Sequence, residues 1–215
     1  MEGDSSVLLW WGGMSLVALI NIGIWLYVSR VYRRRKADYS DWLINIRQKQ
    51  LYLSLIYVLG CGFRSVFPRG DLRRIVLVDS FISAVVVGRS VATIAELALG
   101  AQLSWLLWEI GHSVNDKRII TISRLIVPTL FVAECFSWYA CLTSNYIGTT
   151  VEESLWAVAA LMLIISFLLA RSHYVGRQKT FVHLGILSSF GYFIYMVTVD
   201  VPTYFSSWLA NEAAG

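Results

Sequence analysis

The stretch IVLVDSFISAVVVGRSVATIAELALGAQLSWLLWEIG, residues 75–111, decides the class of this chain. A helix needs about 20 mostly apolar residues to cross about 30 Å of hydrocarbon. At 1.5 Å per residue this stretch would reach roughly 55 Å if wholly helical. It is too long for one straight crossing, so it either projects beyond the bilayer or bends, with Gly88 the place for a bend. Three charges interrupt it: Asp79, Arg89 and Glu96. A charge at the bilayer centre costs about 2.5–3.5 kcal/mol on insertion scales, so such residues turn inward, find partners and are functional candidates by default.

At 100° per residue, Arg89 and Glu96 are separated by about 700°, close to two full turns, and share a face with Thr93. Their axial separation of about 10 Å reads as too far for a direct pair. Each therefore needs a partner from another helix. Glu134, at matching depth, is the expected partner of Arg89, with Ser137, Cys141 and Asn145 on its face by helical spacing. Such a pair serves either a transport path or only the choice of which helices meet. Gly88, Ala92, Ala95, Gly100 and Ala101 make the same helix rich in small residues, and the Gly88–Ala92 spacing allows close helix approach. It is the expected centre of the bundle.

Five further stretches fit spans: residues 7–29, 50–67, 119–146, 154–170 and 181–205. The expected fold is all-α, a polytopic integral membrane protein of about six transmembrane helices with a long third helix, forming a single transmembrane domain. Composition agrees. Of 215 residues, 57% are hydrophobic and 15% charged, against about 45–50% and about 25% in soluble globular chains. Mean hydropathy is +0.61. These values argue against a soluble enzyme, a disordered tail and a nucleic-acid binder. The net charge of +4 and pI near 9.0 belong to loops that sort by charge. Cys61, Cys135 and Cys141 have no zinc or CxxC spacing and lie in apolar runs, so a disulfide scaffold is excluded.

Seven basic residues follow the first span: Arg30, Arg33, Arg34, Arg35, Lys36, Arg47 and Lys49. The positive-inside rule then puts the odd loops in the cytoplasm and both termini outside. The segment FRSVFPRGDLRR, residues 63–74, dissents by carrying four arginines on the outer side. Residues 37–49 alternate polar and apolar, and read as a short surface helix or a structured connector. Pro68-Arg69-Gly70-Asp71 reads as a tight turn feeding the third helix, with Asp71 as its N-cap. Under this topology Arg64, Arg69, Arg73, Arg74, Glu152 and Glu153 would gather in an outer vestibule, with Asp71, Asp79, Asn145, Asp200 and Tyr204 nearby. Arginine forks match carboxylates and phosphates, so the cluster either neutralises itself or binds an anion.

No HExxH, P-loop, GxSxG or dinucleotide fingerprint occurs. The histidines, His112, His173 and His183, fall at the cytoplasmic ends of spans. Glu109 and His112 form a single Glu-x-x-His where carboxylate-bridged metal helices use two. No metal or cofactor is expected. The leading expectation is a channel or carrier for a small ion or proton, its path lined by Asp79, Arg89, Glu96, Glu134 and Asp200. No inverted repeat is visible, so a homo-oligomer or a larger membrane complex fits this size. Two other classes compete. One is a membrane-embedded enzyme on a lipid or isoprenoid substrate; the other is a structural subunit whose charges pair only for assembly.

Overall fold

The computed structural model describes residues 2–70, 72 and 75–214. Among these the chain is a succession of long helices with one small hairpin. They are α1 (Glu2–Arg35), α2 (Asp41–Val66), β1 (Arg69–Gly70), β2 (Ile75–Val76), α3 (Val85–Ser113), α4 (Lys117–Thr143), α5 (Tyr146–Ala170), α6 (Gly176–Tyr195) and α7 (Val201–Ala214). A π-helical turn, Met196–Asp200, joins α6 to α7 without a break. Pro202 follows two residues after Asp200 and has no N–H to give the preceding turn, and a widened turn is one way a helix accommodates that loss. Among the described residues five helices are long and apolar enough to cross a membrane: Ser6–Asp38, Val85–Ser113, Lys117–Thr143, Tyr146–His173 and Gly176–Ala213.

The expected span at 50–67 is not among the five. Its residues lie in α2, a 26-residue helix that also carries Asp41, Arg47, Lys49 and Arg64. Residues 37–49 are not a separate surface helix, and only their first part is a structured connector. After a 3-10 turn at Lys36–Asp38, Ser40 caps α2 by accepting from the Leu43 N–H at 3.5 Å, and the helix runs on unbroken. Pro68 stops it, because the residue before a proline is driven out of helical conformation.

The long third helix is shorter than expected. Residues 75–84 are not α-helical: β2 pairs antiparallel with β1 (Arg69↔Val76, Gly70↔Ile75), and a 3-10 turn at Phe81–Ser83 precedes α3. Excess length is thus removed before the helix begins, and no bend at Gly88 is needed. The β-branched run Ile75, Val76, Val78 suits a strand as well as a helix, which is why hydropathy alone misread it. Arg69 and Gly70, expected in a tight turn, are instead strand β1 of this hairpin and do not feed the helix directly. Asp71, like Arg73 and Arg74, lies outside the described residues.

Helix α5 begins eight residues before the expected residue 154. The whole connection from α4 is Ser144, left-handed at φ 56°, and Asn145, whose side chain accepts from the Ile147 N–H at 3.0 Å. Asn145 is therefore a helix cap and not part of the Glu134 face. The turn from α3 into α4 is equally tight. Asn115 is left-handed at φ 54°, and Asp116 accepts from the Arg118 N–H at 2.8 Å. The Arg118 guanidinium adds a second contact at 2.7 Å. These hydrogen bonds hold the Asp116 carboxyl down to about 2. The charged cap is present above the ordinary carboxylate range and is lost only as pH falls through about 2.

The chain divides into two compact units, Met1–Gln102 and Leu103–Gly215. In the first, α1 and α2 pack as an antiparallel pair joined by indole and phenol donors. Trp11 Nε1 donates to the Val66 carbonyl (3.0 Å), Trp25 Nε1 to that of Leu51 (3.1 Å) and Tyr32 Oη to that of Ile44 (3.2 Å). Trp11 thus serves a helix contact near the end of the span. In the second unit, Leu107, Ile110, Ile119, Ile126, Leu130, Leu163, Phe167 and Val182 form the apolar core.

Candidate functional site

Each unit holds a charge cluster. In the first, α3 carries Arg89, 4% exposed, two turns from Glu96. Contrary to the expectation of no direct contact, Arg89 Nη2 reaches Glu96 Oε1 at 3.4 Å. The backbone rise of about 10 Å is right, but it leaves out side-chain length, and a helical glutamate leans toward its own N-terminus and so toward Arg89. Arg64, at the last turn of α2, approaches the same oxygen at 3.8 Å. Tyr57 and Cys61, one turn apart on α2, both lie in the electrostatic reach of Glu96. Sequence reasoning missed these two. Residues 57, 61 and 64 follow the i, i+4, i+7 spacing of one helix face, and that signal was available.

What brings α2 to this point is size. A Cβ built on Gly60 would stand 2.5 Å from Ala95 Cβ. The small-residue stripe of α3 therefore works here as expected, through Ala95 against Gly60, while a Cβ on Gly88 would stand 3.1 Å from Cδ of Arg69. Arg69 also donates to the Ser83 carbonyl, tying the hairpin to the 3-10 turn. Asp79, expected inside the third span, is exposed in the non-helical segment before α3.

In the second unit, α4 buries Ile119, Ser123, Ile126, Leu130, Ala133, Glu134, Ser137, Ala140 and Cys141, a single stripe at helical spacing. Glu134, 2% exposed, thus lies on one face with Ser137 and Cys141, as the sequence predicted. Glu152, expected in an outer loop, is in the second turn of α5 and only 6% exposed. A carboxylate oxygen of Glu134 and one of Glu152 lie within 4.8 Å of each other. The adjacent acids at 152 and 153 read as loop because they end a hydropathy run. The Asn145 cap, not the acids, marks where the helix starts.

Toward the C-terminus, Asp200 ends the π-helical turn and accepts from Tyr195 Oη at 3.1 Å. Tyr204 on α7 stacks on Tyr146 at 6.4 Å and lies in the electrostatic reach of Glu153, Asp200 and Glu152. Of the residues expected at the outer end, Glu152, Glu153, Asp200 and Tyr204 belong to this unit. The histidines do not join these residues. His112 is exposed, its Nδ1 2.8 Å from the Trp108 carbonyl, and His173 and His183 are exposed as well.

The Glu134–Glu152 approach depends on Gly148, one turn before Glu152. A Cβ there would come 2.7 Å from the Phe136 carbonyl oxygen and 2.9 Å from Ala140 Cβ and Tyr139 Cδ1. We expect Gly148→Leu to force α4 and α5 apart and to cost about 1–3 kcal/mol, as overpacking does. Thermal unfolding of the detergent-solubilised chain measures this. Gly191→Leu, where a Cβ meets nothing within 4 Å, is the matched control and should leave the midpoint unchanged. No family model, curated protein or solved structure matches this chain.

Proposed function

We propose that this chain is an integral membrane protein of six crossings that passes protons, or a small monovalent cation in their place, through its C-terminal unit by way of Glu134 and Glu152. The observation that carries the reading is the proximity of these two buried carboxylates on apolar helices. Two negative charges this close in a medium of low dielectric repel strongly, and a shared proton or bound cation removes that repulsion. A group that gains and loses one positive charge is the unit step of a proton relay. Asp200, with Tyr195 and Tyr204, continues the polar groups toward one end of α5 and α7.

The distribution of side chains supports the membrane reading. Many large apolar residues face outward: Leu142 is 65% exposed, Leu187 68% and Phe131 57%. The interior of α4 and α5, by contrast, uses Ala, Ser, Thr and Glu freely. That arrangement suits hydrocarbon outside and a polar path inside. In this reading α2 is the sixth crossing, its Arg64 paired toward Glu96, and the basic end of α1 is cytoplasmic with both termini outside. Cysteine labelling at Ser5→Cys and Ala37→Cys, in a background lacking the three native cysteines, tests the orientation. Ser5 should react from outside only, and Ala37 from the cytoplasmic side only.

The transport reading is tested in liposomes holding a pH-sensitive dye, with a potassium diffusion potential set by valinomycin. The reconstituted chain should acidify the lumen faster than protein-free liposomes, and replacing external sodium with an impermeant cation separates proton from cation movement. Fluxes of protons, sodium and potassium all equal to those of empty liposomes would overturn the proposal.

A further inference from the structure

The C-terminal end of α1 carries five basic residues within residues 30–36: Arg30, Arg33, Arg34, Arg35 and Lys36. The helix continues through Arg35, so these charges stand on a regular scaffold, with Arg30, Arg33 and Arg34 on one face by i, i+3, i+4 spacing. All five are exposed, and among the described residues none takes part in an ion pair. The nearby acids, Asp38 and Asp41, are exposed and leave the five cations uncompensated. The platform is held in place. Tyr32 stacks on Tyr39 at 6.4 Å, and its hydroxyl donates to the Ile44 carbonyl at the start of α2.

We propose that this end of the chain docks the anionic headgroups of phospholipids, and so fixes the protein in a negatively charged leaflet. The occupant follows from the order of residues along the helix. Leu26 and Val28 are 46% and 48% exposed, Tyr27 between them is 68% exposed, and the five cations begin one residue further on, after the buried Ser29. An apolar and aromatic collar followed by cations is the order of layers met on leaving a bilayer. A soluble polyanion would have no use for the apolar collar that adjoins the charges. Trp42, 57% exposed on the first turn of α2, adds a second ring suited to the headgroup layer. The inference requires that α1 cross a membrane and is independent of ion flux. Each basic residue near an anionic surface adds attraction that fades within a Debye length, so the effect is salt-dependent.

The full-length chain in nanodiscs, probed with spin-labelled phosphatidylserine and spin-labelled phosphatidylcholine, tests this by the motionally restricted fraction of each lipid. At low salt the native chain should prefer phosphatidylserine by about fivefold, and the preference should fall toward unity in molar salt. Replacing all five residues with Gln should abolish the preference at low salt, while replacing the four arginines with Lys should retain most of it. Equal restriction of the two lipids by the native chain would overturn the proposal, as would a Gln variant that keeps the preference. If the Gln variant does not insert, the salt series on the native chain decides alone.

Discussion

Glu134→Gln and Glu152→Gln are each expected to lower proton flux into liposomes on the order of a hundredfold, the low end of what a positioned proton-transfer group supplies. Neither should lower stability. With carboxylate oxygens within 4.8 Å, two charges interact by about 3.5 kcal/mol at an effective dielectric of 20. A shared proton or bound cation offsets that repulsion in the native pair, and a neutral amide in place of one acid offsets it too while keeping the side-chain volume, so the thermal midpoint should hold. Loss of flux together with retained stability distinguishes a working pair from a scaffold, which would show the reverse. Glu153→Gln, next to Glu152 but less buried, should alter flux only slightly. Full flux in both buried variants would remove the pair from the path, and parallel loss of flux and stability would make it architectural.

The class of fold was legible because hydropathy is a bulk property, and long apolar runs tolerate a few misplaced residues. Helix ends were not legible in the same way, and two segments erred in opposite directions. Residues 75–84 have the hydropathy of a membrane helix and form a hairpin strand and a 3-10 turn, whereas residues 147–153 have that of a connecting loop and are helical. Hydropathy tracks what surrounds a segment and not its backbone conformation. The Asn145 cap and the left-handed Ser144 carried the missing information. For the site, helical spacing correctly grouped Glu134 with Ser137 and Cys141, because all lie on one regular helix. It could not reveal that Glu152 approaches Glu134. That proximity depends on a glycine, Gly148, whose importance is visible only once α4 is seen beside it. The Arg89–Glu96 contact was missed for a narrower reason, a backbone distance used where side-chain reach decides.

The second large effect expected concerns that contact. Arg89→Ala should destabilise the chain by about 3 kcal/mol, the lower range for breaking a buried ion pair. The lower range applies because the Glu96 side chain is 21% exposed while that of Arg89 is 5% exposed. Arg64→Ala removes a cation that is 42% exposed and 3.8 Å away. That loss should cost less than about 1 kcal/mol, as for solvent-screened pairs. Arg89→Lys should not restore full stability, because a compact ammonium cannot reproduce the guanidinium's spread of donors in a buried setting. The interaction is isolated by the cycle of Arg89→Ala, Glu96→Ala and the double variant, followed by unfolding in detergent. If the two side chains act on each other, the double variant should lose about 1–2 kcal/mol less than the sum of the singles. Strict additivity would mean that the 3.4 Å approach adds nothing to stability and that each residue is held by its surroundings separately.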